Sequence, residues 1–196
     1  MTVTLDLIVT DFARGMEMAD ARRPAYKTYQ PGLGPHTEPL TVALVMAELA
    51  AAWPERYTAH QLSVPYADGT RQACDLCLGR PPGWEWAIEV KMIRMMGDNA
   101  KPNDNLPTHI LSPYPHHRSA LTDCAKLAGS ALGERKAILI YGYDYPEFPL
   151  EPLVGAFEVL AGRQVRLGGR RTATFQGLIH PVHQQGAVFG WEVRPG

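Results

Sequence analysis

The sequence lacks the features that would place a protein in a membrane or export it. Its longest apolar run, from about Leu40 to Trp53, is too short and too rich in alanine to span a bilayer. The first six residues, Met1 to Asp6, have neither the basic start nor the apolar block of a signal peptide. These absences predict a cytoplasmic protein without a membrane partner.

An excess of either charge is also missing, and cysteine is scarce. Nineteen Lys and Arg residues face twenty Asp and Glu residues, which gives a net charge of −1. Overall basicity therefore does not indicate a nucleic-acid partner, although acidic metal ligands can lower the total while basic residues gather on one face. Three cysteines, an odd number without secretory context, predict reduced thiols rather than a disulfide framework.

What the chain does contain is enough apolar sequence for a substantial core. It has 196 residues, of which 45% are hydrophobic and 20% are charged. That length and composition predict one domain over residues 1–196. The sequence contains no internal repeat and no low-complexity tract.

The order of predicted elements indicates an α/β fold. The first few residues fit a strand or a short helix, and a helix capped by Thr37 runs to Trp53. Strands, helices and loops then follow from their patterns, at 57–66 (strand), 67–70 (turn), 71–78 and 84–93 (strands), 97–115 (long loop), 118–132 (helix), 136–143 (strand), 151–161 (helix) and 172–193 (hairpin or edge addition). This order predicts a three-layer sandwich with a mixed central β-sheet.

Chemistry-bearing residues lie on the second and third predicted strands. Side chains alternate along a strand, so Glu89 and Lys91 share one face while Ile88 and Val90 share the other. If the two strands pair as a hairpin, Asp75 lies beside Glu89. A carboxylate within so apolar a strand costs free energy unless something compensates its charge.

A divalent cation can supply that compensation. Carboxylate oxygens with an intervening backbone carbonyl suit Mg²⁺, and a cation at an acidic pair can activate water and neutralise phosphate charge. Lys91 can bind the attacking water or the charge that develops on the phosphate. Asp75, Glu89 and Lys91 together therefore predict phosphodiester hydrolysis.

Asp75, followed after thirteen residues by Glu89-Val90-Lys91, resembles the PD-(D/E)XK nuclease superfamily. The resemblance covers residues 36–145 and implies a restriction-endonuclease-like core, with residues 146–196 as a C-terminal helix and hairpin extension. It implies that Asp75, Glu89 and the Val90 carbonyl hold Mg²⁺, for which Mn²⁺ can substitute, and that Lys91 is catalytic. Glu38 is similar to the further acid that the family's helix supplies, and would act on the metal through water. One departure is Cys74, where many members have proline.

The resemblance implies a Mg²⁺-dependent deoxyribonuclease, an endonuclease of restriction, defence or repair type. Its partner would be DNA, and by analogy it would act as a homodimer. Two alternatives stay open: a catalytically silent or partner-dependent nucleic-acid-binding protein of the same fold, and an RNA-cleaving member. Sequence specificity, endonuclease against exonuclease action and protein partners are not determined by the sequence.

Several basic residues are candidates for nucleic-acid binding. They are Arg118 and Lys126 on the helix after the motif, and Arg163, Arg166, Arg170 and Arg171 around Gly168-Gly169. Basic side chains of this kind can contact phosphates. Arg118 and Lys126, together with Asp123, could instead form a solvated helix face. The four arginines around Gly168-Gly169 could instead belong to a plain exposed turn.

The remaining candidates also have structural interpretations. Glu89 and Lys91 could form a polar ladder on an edge strand, and Glu38 could be present only because an acid in the first helical turn is favoured. Cys74 and Cys77 have the spacing of a zinc knuckle, but no second pair exists and strand alternation should separate them. Four histidines could serve as zinc ligands or a general base, or be purely structural: His116, His117, His180 and His183.

Overall fold

A seven-stranded mixed sheet forms the centre of the protein in the computed structural model, which describes residues 2–67, 71–103 and 106–196. Its strands are β1 (His60–Pro65), β2 (Ala73–Arg80), β3 (Gly83–Ile93), β4 (Arg135–Tyr143), β5 (Arg166–Leu167), β6 (Arg171–Phe175) and β7 (Gly186–Arg194). The α-helices of the described residues are α1 (Leu5–Ala21), α2 (Glu38–Ala52), α3 (Pro54–Tyr57), α4 (Leu106–Leu111), α5 (Ala120–Gly129) and α6 (Glu151–Ala161). A short 3₁₀ helix spans Pro115–His117.

The strand order is β1-β2-β3-β4-β7-β5, and β6 also pairs with β7. Strands β3 and β4 are parallel, while the other neighbours are antiparallel. Parallel strands need a crossover connection, and here α4 and α5 provide it. The predicted α/β sandwich with a mixed sheet is confirmed.

Two cores lie on the two faces of the sheet. Helices α1 and α2 cover one face, where Ile88, Val90 and Leu139 are buried. Helices α5 and α6 belong to the core of the other face, which includes Ala87 and Ile138. Because adjacent residues of β3 and β4 enter opposite cores, the alternation predicted for β3 is confirmed.

The N-terminal element differs from the prediction of a strand or short helix, because α1 runs for 17 residues. Thr4 caps it by accepting a hydrogen bond from the Leu7 amide. Apolar residues recur at helical spacing and pack against α2, β6 and β7: Leu5, Ile8, Val9, Phe12 and Met16. This periodicity was present in the sequence.

Several other boundaries differ from the prediction, most clearly those of β1, α5 and the loop at 97–115. Strand β1 begins at His60 rather than at residue 57, because Pro54 starts the short helix α3. Helix α5 is shorter than predicted and begins after Ser119, whose hydroxyl accepts a hydrogen bond from the Thr122 amide. The predicted long loop at 97–115 contains α4, and the predicted turn at 67–70 lies outside the described residues from Asp68 onward.

In the described part of the chain, no helix combines the length and the apolar character that crossing a membrane would require.

Candidate functional site

The candidate site lies where β2 separates from β3. The two strands pair from Arg80–Gly83 to Leu76–Ile88, whereas β3 continues beside β4 as far as Ile93. Backbone groups of β3 beyond Ile88 therefore need other partners on the side that β2 has left. Side chains provide them, which gives this gap in the sheet a polar lining within an otherwise apolar layer.

Two carboxylates bond to the backbone of β3 in this gap. Asp75 Oδ2 accepts a hydrogen bond from the Val90 amide at 2.8 Å, and Glu38 Oε2 accepts one from the Met92 amide at 2.7 Å. Glu38 reaches β3 because it is the first residue of α2, where the sequence placed it. Both acids are thus fixed against the motif strand.

Glu89 is almost entirely buried, with 1% of its surface exposed. Its Oε1 accepts a hydrogen bond from the Tyr66 hydroxyl at 2.6 Å and lies 2.7 Å from Lys126 Nζ. The Asp75 carboxylate lies close enough to raise the pKa of Glu89. Asp75 and Glu89 are predicted to lie side by side, and the structure brings both to the same cleft.

Helix α5 adds a carboxylate that pairs with both lysines of the site. Asp123 Oδ2 lies 2.7 Å from Lys91 Nζ, and its Oδ1 lies 2.8 Å from Lys126 Nζ. Lys91 also lies 3.7 Å from Glu38 Oε1 and donates to the Val90 carbonyl at 3.1 Å. The interpretation of Asp123 and Lys126 as a solvated helix face is wrong, since both side chains face the site.

We call these six residues the inner group: Glu38, Asp75, Glu89, Lys91, Asp123 and Lys126. Its four carboxyl groups outnumber its two ammonium groups by two. When all six are ionised, the inner group carries a net charge of −2.

Burial and crowding of like charges shift the protonation of the acids. Burial raises the pKa of Glu89 well above its ordinary range, and the carboxylates of Asp123 and Asp75 raise it further. Burial likewise raises the pKa of Glu38 to about 7, against the lowering effect of Lys91. Without a cation, the site therefore favours the protonated form of these acids.

The lysines show the opposite balance. Burial disfavours the charged form of Lys91, but Glu38, Asp123 and Asp75 outweigh that effect and raise the pKa of Lys91 above its ordinary value. The pKa of Lys126 is raised in the same way, since Glu89 and Asp123 outweigh its burial. Both side chains are ammonium groups at neutral pH.

The inner group lines an open cleft with a volume of about 740 Å³. Basic side chains form much of the remaining wall: Arg71, Arg94, His109, His117 and Arg118. Of the predicted nucleic-acid contacts, Arg118 and Lys126 therefore lie in this cleft.

The other predicted basic cluster lies at the β5–β6 side of the sheet and does not line this cleft. Arg170 forms ion pairs there with Glu151 at 2.6 Å and Glu158 at 3.0 Å. Arg166 donates to the Pro195 carbonyl. A nucleic-acid role for Arg163, Arg166, Arg170 and Arg171 stays a prediction, now at a different surface.

Sequence reasoning missed Asp123, Tyr66, Arg71 and Arg94 as site residues. For Asp123 a signal existed, because it lies one helical turn from the buried residues Ala120 and Leu127 and thus near the apolar face of α5. The expectation that alternation separates Cys74 from Cys77 is wrong, since both belong to the core on the α5 side. Their proximity raises the pKa of the Cys74 thiol.

Comparison of the chain with protein-family models, with curated proteins and with solved structures finds no match in any of the three.

Proposed function

We propose that the protein is a Mg²⁺-dependent nuclease that hydrolyses phosphodiester bonds in DNA, with a restriction-endonuclease-like core of PD-(D/E)XK type. The observation that carries the proposal is the meeting of Asp75, Glu89 and Lys91 at the point where β2 leaves β3. The element order also supports it. A helix bearing Glu38 precedes three antiparallel strands, a crossover helix and a buried parallel strand.

The donor atoms suit a hard divalent cation. Asp75 and Glu89 supply carboxylate oxygens, and the Val90 carbonyl opens into the same gap, where it accepts from Lys91. The charge of the Asp75 carboxylate contributes to the raised pKa of Glu89, and a bound cation would offset this repulsion. A charge of +2 also balances the net charge of the inner group. When bound, Mg²⁺ would lower the pKa of a water molecule and neutralise phosphate charge.

Lys91 is placed to act on the substrate rather than on the fold alone. Its ammonium group carries a positive charge in a largely dehydrated gap, where electrostatic stabilisation is strong. It can therefore donate hydrogen bonds to the attacking water and to the phosphate oxygen on which charge develops. Asp123 orients it from α5, and Glu38 lies near it on the α2 side.

The walls of the cleft fit a polyanionic substrate. Arg71, Arg94 and Arg118 add positive charge around the inner group. Arginine and lysine contacts to phosphates supply sequence-independent affinity that falls with salt. The net charge of −1 does not oppose this, since the positive charge is local.

The proposal is tested by incubating the protein with plasmid DNA, single-stranded DNA and RNA, with Mg²⁺ or Mn²⁺ and with EDTA. Lys91→Met and Asp75→Asn are the test variants. Lys27→Met and Asp6→Asn are matched controls, because both residues lie outside the cleft. Circular dichroism checks that each variant is folded.

We expect metal-dependent cleavage of DNA that EDTA stops, that both test variants lose by at least about a hundredfold, and that the controls retain. Cleavage of RNA alone would favour the RNA-cleaving alternative. Binding without cleavage of any substrate under either metal would support the silent or partner-dependent alternative. Full activity in Lys91→Met would show that the assigned site is wrong.

A further inference from the structure

A second group of ligand-type side chains lies at the carboxyl end of β3 and β4. Asp98 follows β3, whereas His180 and His183 precede β7, and the donor atoms of the three all lie within 4.8 Å of one another. His183 Nε2 is 3.1 Å from Asp98 Oδ1, and His180 Nε2 is 3.9 Å from the same oxygen. Both imidazoles are buried, while Asp98 is partly exposed to solvent.

The fold holds the two imidazoles in fixed positions. Their rings stack with centroids 4.7 Å apart and planes 19° apart, so that both Nε2 atoms face the same carboxylate. The Tyr145 hydroxyl lies 2.6 Å from His183 Nδ1 on the opposite side of that ring. Gly34 leaves room for the ring of His183, since an added methyl group at this position would overlap it.

We propose that Asp98, His180 and His183 bind one Zn²⁺ ion at a site that shares no residue with the inner group. Two imidazole nitrogens and one carboxylate oxygen are a borderline donor set that suits Zn²⁺, in contrast to the oxygen donors around Asp75. In a tetrahedral site with bonds of about 2.1 Å, ligand atoms lie about 3.4 Å apart. The observed separations of 3.1 and 3.9 Å lie on either side of that value.

The hydrogen bonds around the group define what zinc binding requires. His183 can donate from Nδ1 to the Tyr145 hydroxyl, which leaves its Nε2 lone pair for the metal. His180 Nδ1 accepts from the Val182 amide at 3.2 Å, so zinc binding must move the proton to Nδ1 and break this long contact. Burial lowers the pKa of both imidazoles, that of His183 to about 4, so the neutral ligand form is present at pH 7.

Neighbouring charges do not oppose a cation. Asp98 and Asp20 act on His180 as negative charges, and Arg94 acts as a positive one. When both imidazoles are neutral, Asp98, Asp20 and Arg94 together carry a net charge of −1. Three protein ligands would leave a fourth position for water at the partly exposed Asp98 side.

Zinc would join segments that are distant in the chain. Asp98 lies in the segment after β3, and Arg94 and Asn103 of the same segment line the cleft. His180 and His183 lie more than eighty residues after Asp98 in the chain. A metal clip across so long a loop restricts the unfolded chain and ties one cleft wall to the C-terminal segment. The ion would thus stabilise the fold.

The test is a titration of metal-stripped protein with Zn²⁺ by calorimetry, with bound zinc counted by mass spectrometry after dialysis. Asp98→Asn and His183→Gln remove ligands, and Tyr145→Phe removes the hydroxyl behind the ligand ring. His36→Gln is the matched control, since it replaces a buried histidine outside the group. The titration is repeated in an Asp75→Asn, Glu89→Gln background, so that zinc binding and the proposed nuclease site succeed or fail separately.

We expect one Zn²⁺ per chain, also in the double-variant background, and unchanged affinity in His36→Gln. Affinity should fall at least about a hundredfold in His183→Gln and about tenfold in Tyr145→Phe and Asp98→Asn. Zinc at a hundredfold excess over Kd should raise the Tm of the wild type by about 5 to 10 °C. Because His183 is buried, Asp98→Asn keeps the test valid if His183→Gln does not fold.

Three results would overturn the proposal. The first is the absence of stoichiometric zinc binding in the wild type. The second is wild-type affinity in folded Asp98→Asn and His183→Gln variants. The third is a strong thiolate-to-metal charge-transfer band with Co²⁺, which would place the metal at cysteine residues instead.

Discussion

Replacing Glu38 by glutamine should stabilise the metal-free protein at pH 8, although the change removes a residue of the candidate site. The pKa of Glu38 rises from its ordinary 4.5 to about 7 in the folded protein, chiefly through burial. Folding therefore favours the protonated carboxyl group. Between pH 4.5 and 7 the folded wild type holds a proton that the unfolded chain has lost, so its stability falls as the pH rises through this range.

The size of the effect follows from the two pKa values. At about 1.4 kcal/mol for each pKa unit, the difference between 4.5 and about 7 corresponds to about 3 kcal/mol above pH 7. The Glu38 side chain is 23% exposed, so solvent screens part of this effect and the free energy above is an upper value. Glutamine keeps an oxygen that can accept from the Met92 amide, so the substitution removes the charge and little else.

The assay is thermal or urea unfolding of wild type and Glu38→Gln in EDTA, at pH 4.5 and at pH 8. The variant should equal the wild type at pH 4.5 and exceed its Tm by up to about 6 to 12 °C at pH 8. Added Mg²⁺ should narrow the difference, because a cation favours the ionised carboxylate of the wild type.

Glu48→Gln is the matched control, because it is the same substitution on the same helix. Glu48 pairs with Arg22, whose side chain is 73% exposed, so its loss should change stability little at either pH. A Glu38→Gln protein that is no more stable than wild type at pH 8 would refute the reasoning about burial. If Glu48→Gln gained as much stability at pH 8 as Glu38→Gln, the gain could not be assigned to the buried position of Glu38 in the candidate site.

Three further predictions address catalysis, binding and packing. Asp123→Asn should lower kcat by about 10- to 100-fold in a protein that is folded by circular dichroism, and an unchanged kcat would mean that this carboxylate is only structural. Arg118→Gln should reduce the slope of log K against log salt for DNA binding by about 0.9, whereas Arg170→Gln should not change it. Fluorescence anisotropy in EDTA measures DNA binding by both variants, and an equal reduction of the salt slope in the two would contradict the placement of DNA in the cleft. Gly186→Ala should lower stability by about 3 kcal/mol, because its methyl group would overlap a carbonyl oxygen of β4. Gly155→Ala, with open space around it in a helix, should instead raise stability by up to about 1 kcal/mol, and urea unfolding of both tests this reasoning.

The sequence alone was sufficient where local periodicity decides the structure. Alternation along β3 placed Glu89 and Lys91 on one face and Ile88 and Val90 on the other, and the structure has them so. The apolar run Ala137 to Tyr141, within the strand predicted at 136–143, is typical of a buried central strand, and β4 lies between β3 and β7. The period of a strand or helix is a property of the backbone, so it can be read without knowing the neighbours.

Contacts between distant segments were decided only by the tertiary structure. The pairing of Asp123 with Lys91 depends on where the crossover sets α5 against β3, and no local pattern fixes that position. The approach of Asp98 to His180 and His183 likewise requires the carboxyl ends of β3 and β4 and the start of β7 to lie at a common edge of the sheet. Such contacts form because both segments pack on one sheet, and that packing depends on the whole core rather than on the residues that meet.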